Sequence, residues 1–151
     1  MALTNCNKKL AIVYASVTGN TEAAAMLLKS ALQEKPIEVA MWRVEEFPLA
    51  ELSSCDAVLV GTYTWGSGEI PKEMRELFCS FEQLGRKELV TAAFGTGDSF
   101  FAEFCGAVDR FRDMLFVHTR LAATLKIELA PQAEDVPRCE KLAACVAARL
   151  T

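Results

Sequence analysis

The chain has almost no histidine, only His118 in 151 residues. None of its six cysteines, at positions 6, 55, 79, 105, 139 and 145, forms a C-x-x-C pair, and His118 stands near none of them. That spacing argues against a zinc site, which needs clustered sulfur and nitrogen ligands. Long apolar runs are missing too. Lys8 and Lys9 precede only the six residues LAIVYA, too few for a secretory h-region or a membrane span. The expectation is a cytoplasmic protein with reduced, mostly buried thiols. Positive charge is in deficit: 16 Lys and Arg against 20 Asp and Glu, with a net charge of −4. Such a chain is a poor candidate for nucleic acid or an anionic membrane, and suits a basic protein partner. Repeats, linkers and low-complexity tracts are absent. The length fits one domain over 1–151, with residues 1–7 as a flexible N-terminal extension.

What is present alternates in period. Runs at 10–14 (LAIVY), 57–61 (AVLVG) and 89–94 (LVTAAF) are short and apolar throughout, as strands covered on both faces should be. Segments 37–43 and 121–129 instead alternate apolar with polar or charged residues, which fits sheet edges. Ile70, Met74, Leu77, Phe78, Phe81 and Leu84 have helical spacing, with Pro71 suited to the first turn. Phe104, Val108, Phe111 and Leu115 mark a second helix, and segments 20–34 and 135–150 two more. Residues 44–56 are polar, with room for a short turn or helix. This order predicts an α/β fold, a doubly wound five-stranded parallel sheet in the order 2-1-3-4-5. Ligands in such sheets bind beyond the carboxyl ends of strands 1 and 3, where the order reverses.

Three unusual loops fall on that rim. "SVTGNT" (16–21) joins the first strand to a helix. Its backbone N–H groups, the hydroxyls of Ser16, Thr18 and Thr21, a close-approach Gly19 and a capping Asn20 suit a terminal phosphate. The lysine of a G-x-x-x-x-G-K-[ST] loop is missing, as is a G-x-G-x-x-G turn. "TYTWGSGEIP" (62–71) puts Trp65 between a strand and two glycines. "GTGDSFFAEFC" (95–105) offers Phe100 or Phe101 as a second aromatic wall, with Phe104 assigned to the core. A planar molecule with a phosphate tail belongs between these loops.

Together the three motifs resemble those of short-chain flavodoxins. "SVTGNT" is similar to the family's phosphate loop, and the other two to its flavin loops, over about residues 9–150. The resemblance implies a flavodoxin-like three-layer sandwich holding one non-covalent FMN. Ser16, Thr18, Asn20 and Thr21, with backbone from Val17 and Gly19, would hold the phosphate. Thr64, or else Tyr63, would add a contact. Trp65 would cover one face of the ring and Phe101, standing where the family usually has tyrosine, the other. Asp98, Glu103 and Cys105, next to Gly97, would meet the pyrimidine edge through their backbone, and the Gly66–Ser67 peptide would face N5. Ser67 stands where many relatives carry an acid.

The three loops contain Glu69, Asp98 and Glu103 but no Lys or Arg. A negative field opposes a reduced anionic ring, which predicts a low potential. The expected role is a soluble, monomeric one-electron carrier working between semiquinone and hydroquinone. It would take electrons from a flavodoxin/ferredoxin-type reductase and pass them to redox enzymes docking at an acidic rim. The alternatives are a small FMN oxidoreductase, or a flavoprotein that activates one dedicated enzyme. A phosphate-receiver module would need an aspartate at the end of strand 3, where Gly61 and Thr62 stand.

Overall fold

In the computed structural model, residues 7–150 are described. The expected N-terminal extension therefore lies outside the described residues except for Asn7, which is exposed. Nine main elements follow in chain order: β1 (Lys8–Tyr14), α1 (Asn20–Gln33), β2 (Ile37–Arg43), β3 (Ala57–Thr62), α2 (Arg75–Leu84), β4 (Val90–Gly97), α3 (Gly106–His118), β5 (Arg120–Glu128) and α4 (Val136–Ala148). The five strands form one parallel sheet in the order β2-β1-β3-β4-β5. Edges and centre are those read from the sequence. Among the described residues no helix is long and apolar enough to cross a membrane.

The continuous apolar runs have a simple cause. Every residue of β3 is buried, and β1 is buried from Leu10 onward, because helices cover both faces. On one face Leu10, Ile12, Leu59 and Phe94 pack with Leu28 of α1 and Leu142 and Val146 of α4. On the other, Val13, Val58 and Val60 pack with Leu77 and Phe81 of α2 and Phe111 and Leu115 of α3. The three layers point all strand ends, and their loops, to one rim.

Segment 44–56 holds two short 3-10 helices, Val44–Glu46 and Leu49–Ser53, in keeping with the short turn or helix expected there. The boundaries differ from expectation in three places. Pro71 stays extended and precedes a 3-10 turn, so α2 starts only at Arg75. Phe104 lies outside α3, because Cys105 adopts a left-handed conformation (φ 51) that starts the helix one residue later. It is partly buried against the core and carries Lys126 Nζ 6.0 Å from its ring. Finally, β5 is not one uninterrupted alternation. Thr91 pairs with Leu121 but Ala92 with Ala123, so Ala122 is an extra residue. Leu121 packs on the α2/α3 side, whereas Leu125 and Ile127 pack on the α1/α4 side. A one-residue slip reverses which parity faces which layer. Leu129 leaves the strand altogether with φ 54, its N–H donating to Gly97 O at 2.7 Å.

Candidate functional site

The first loop runs from β1 into α1. Ser16 is buried, and its Oγ accepts the N–H groups of Gly19 (3.2 Å) and Glu22 (3.3 Å). Ser16 therefore does the capping assigned to Asn20, which is itself the first helical residue. Gly19 takes φ 94, a state that favours glycine. With Oγ accepting twice, the hydroxyl hydrogen of Ser16 is left to donate elsewhere. The N–H groups of Val17, Thr18, Asn20 and Thr21 have no partner among the described residues. Free donors at a helix start attract an anion. Thr21 contributes less than expected: it is buried, and its hydroxyl is engaged with Thr96 Oγ1 at 2.7 Å.

The second loop closes on itself. Trp65 and Glu69 exchange backbone hydrogen bonds of 2.8 and 2.7 Å, and Gly66 (φ 52) turns the chain between them. Thr64 Oγ1 accepts Ala107 N–H at 3.2 Å. Gly68 lies so close to α3 that a Cβ on Gly106 would meet its Cα at 2.7 Å. Tyr63 donates its hydroxyl to Glu73 at 2.6 Å. Burial, then that bond and the Glu73 charge, push the phenol up to about 12, so it stays a neutral donor at neutral pH.

The third loop follows β4. Asp98 Oδ1 accepts Phe100 N–H at 2.9 Å, and Asp98 O accepts Phe101 N–H at 3.1 Å. Ser99 Oγ bonds Glu128 at the end of β5. Burial raises the Cys105 thiol to about 11, so it is an unreactive wall and no nucleophile.

Between the loops lies a cleft of about 470 Å³. Of the residues singled out from sequence, Thr18, Asn20, Tyr63, Thr64, Gly66, Ser67, Gly97, Asp98, Phe101, Glu103 and Cys105 line it. Ser16, Val17, Gly19 and Thr21, of the same loop as Thr18 and Asn20, are not among the residues that line it. Trp65, 61% exposed, stands at the rim. The choice left open between Phe100 and Phe101 is resolved for the cleft wall. Phe101 lines it, while Phe100 is 92% exposed and does not. Thr96, Ala102 and Leu129 also line the cleft and were not anticipated. Thr96 sits at the end of β4, the one position where a strand-end signal could have found it.

The absence of cations from the three loops holds in sequence and fails in space. Each loop receives one from an element outside it. Arg43, at the end of β2, donates Nη2–H to Ser16 O at 2.9 Å. Arg110 of α3 donates Nε–H to Gly68 O at 2.7 Å. Lys126 of β5 reaches Phe104 O at 3.4 Å and Asp109 at 2.9 Å. Two of the three stand beside acids that also lie outside the loops, Arg43 at 3.9 Å from Glu22 and Lys126 at 2.9 Å from Asp109.

The family model for flavodoxin matches residues 12–142. The chain belongs to the flavodoxin family. It is 41% identical over 138 residues to probable flavodoxin 1 of Bacillus subtilis, covering 89% of this chain and 87% of that one. Among solved structures, oxidised flavodoxin 1 of Bacillus cereus superposes with a TM-score of 0.89 at 28% identity, covering 95% of this chain and all of that one. Oxidised flavodoxin 2 of the same species does so at 0.87 and 38% identity, covering 93% and 99%. Flavodoxins bind FMN and transfer electrons. The cleft suits such a cofactor. Its volume is that of a small-molecule site, free N–H donors stand at one end, and Phe101 stands at the other. As a flavodoxin of the short-chain kind, the protein carries β5 from Arg120 to Glu128 with only a one-residue bulge.

Proposed function

We propose that this flavodoxin is a low-potential, one-electron carrier that holds a single FMN in the rim cleft. On this reading it accepts electrons from a reductase and passes them to redox enzymes in the cytoplasm, working as a monomeric single domain. The observation that carries it is the convergence of free N–H groups and Phe101 on one cleft in a flavodoxin chain. Bound FMN supplies one-electron redox chemistry at its ring.

The chain's own residues do the rest. Val17, Thr18, Asn20 and Thr21 give backbone N–H groups to the phosphate, and Ser16, Thr18 and Thr64 give hydroxyls. Phe101 excludes water from one ring face and Trp65 shields the other at the rim. Asp98, Glu103 and Cys105 offer backbone groups to the pyrimidine edge. The Gly66–Ser67 peptide is free to turn its carbonyl toward a proton on N5, since Gly66 already sits at positive φ. Glu69, Asp98 and Glu103 oppose negative charge on the ring, and present an acidic rim to a basic partner.

The test is the purified protein itself. It should be yellow, and acid should release one FMN per chain. Release of FAD, or no flavin uptake after stripping, would refute the cofactor. Rapid bleaching by NADPH with no reductase added would refute a pure carrier and point to an oxidoreductase.

A further inference from the structure

The anion end of the cleft contains no charged side chain, yet one cation touches its backbone from behind. Arg43 is the last residue of β2, paired in register with Tyr14. Its guanidinium lies 5.5 Å from the Tyr14 ring centroid and donates Nη2–H to Ser16 O at 2.9 Å. Its nearest acid, Glu22, is 3.9 Å away, a loose pair that also accepts the Tyr14 hydroxyl at 3.1 Å.

Ser16 O and Val17 N–H belong to one peptide unit. A trans peptide is planar, with carbonyl and N–H on opposite sides. Holding the carbonyl toward β2 therefore fixes the Val17 N–H the other way, away from β2. That N–H is one of the four without a partner among the described residues. A charged donor on the carbonyl also polarises the peptide and strengthens its N–H as a donor. We infer that Arg43 is a positioning residue, which presets the Ser16–Val17 peptide for an anion and so gives the site its preference for a phosphorylated flavin. This rests on the proposed FMN reading, and it assigns the selectivity to a residue outside the three loops.

The experiment compares FMN with riboflavin, which lacks the phosphate. Dissociation constants for both are read from flavin fluorescence on the full-length chain stripped of flavin, parent and Arg43→Met. The expected result is an FMN affinity about ten-fold lower in the variant, with riboflavin unchanged. Equal losses for both flavins would reduce Arg43 to a structural prop, and no loss for either would remove it from the site. Both outcomes overturn the inference while leaving the FMN reading intact. A parent chain with no preference for FMN over riboflavin would overturn the phosphate reading, and this inference with it. Arg43→Gln, shorter and neutral, repeats the comparison if the methionine variant does not fold.

Discussion

Gly106→Ala sets two effects against each other at the contact between the second loop and α3. Alanine is the better helix former by about 1 kcal/mol, and Gly106 is the first residue of α3. Propensity alone predicts stabilisation. The added Cβ, however, would stand 2.7 Å from Gly68 Cα and 3.1 Å from Gly68 O. Carbon atoms prefer about 3.5–4.0 Å, so the loop must retreat by roughly 1 Å. Both atoms it meets are backbone, which no rotamer change relieves. Retreat stretches the Arg110–Gly68 bond, now 2.7 Å, beyond useful length. Overpacking of this kind costs ~1–3 kcal/mol, and Ser67 at the loop tip is exposed, so the loop yields outward and holds the cost to the lower end. The expected melting temperature then falls by a few degrees at most, since 1 kcal/mol moves a domain of this size by about 2–4 °C. FMN affinity falls more, by about ten-fold, because Thr64, Gly66 and Ser67 line the cleft and move together. Thermal unfolding of the stripped chain and fluorescence titration with FMN measure the two separately. A higher melting temperature with unchanged FMN affinity would show that Gly68 is not seated on Gly106.

Four further expectations follow from the site. Phe101→Ala should raise the fluorescence of bound flavin while Phe100→Ala leaves it unchanged; the reverse would move the wall to Phe100. Trp65→Ala should weaken FMN binding by ~1–3 kcal/mol, the usual loss on truncating an aromatic stacking partner, and an unchanged constant would place Trp65 off the ring. Ser67→Asp should lower the second one-electron potential by some tens of millivolts, from about 1 kcal/mol of screened repulsion at the rim. It should lower the first potential less, and less in high salt; equal shifts in potentiometric titration would point to loop conformation in place of charge. In alkali the sign follows from raised values. Burial lifts Cys105 and Cys139 from 9.0 to about 11, and Tyr63 rises from 10.0 to about 12. Their contribution is complete below pH 9 and is lost as pH climbs from 9 toward 12. Urea midpoints should therefore be level from pH 7 to 8.5 and fall by pH 10.5; a level midpoint at pH 10.5 would contradict it.

Sheet order and loop positions were legible because they rest on local signals. Burial on both faces makes 10–14 and 57–61 continuously apolar, and polar alternation marks the edges. The cleft-lining residues were legible where glycine, threonine and aromatic side chains cluster after a strand. Arg43 and Arg110 were not, since neither lies in a loop and only strand register and helix docking bring them to Ser16 and Gly68. Asn20 looked like a cap because Asn usually caps; the buried Ser16 hydroxyl, four residues earlier, outcompetes it. The Ala122 bulge left no trace, because alanine on either side of the slip reads equally apolar. Of the cysteines expected to be mostly buried, Cys55, Cys105 and Cys139 are buried, Cys145 is partly buried and Cys79 is exposed, while Cys6 lies outside the described residues. A helix surface admits cysteine as readily as a core does.

The backbone pair between Trp65 and Glu69 makes the loop tip an exchangeable cassette. Its two ends are tied to each other at a fixed spacing, and its underside rests on Gly106 and Arg110. Residue 67 therefore varies without pulling on β3 or α2, whereas Gly66 (φ 52) and Gly68 (φ 89) hold backbone states that favour glycine, and a Cβ on Gly68 would meet Glu103 Cβ at 2.9 Å. Descent can alter the electrical character of the carrier at Ser67 while leaving the inherited scaffold alone. A designer can do the same, grafting tip sequences from relatives onto one frame and comparing carriers that differ in voltage and little else.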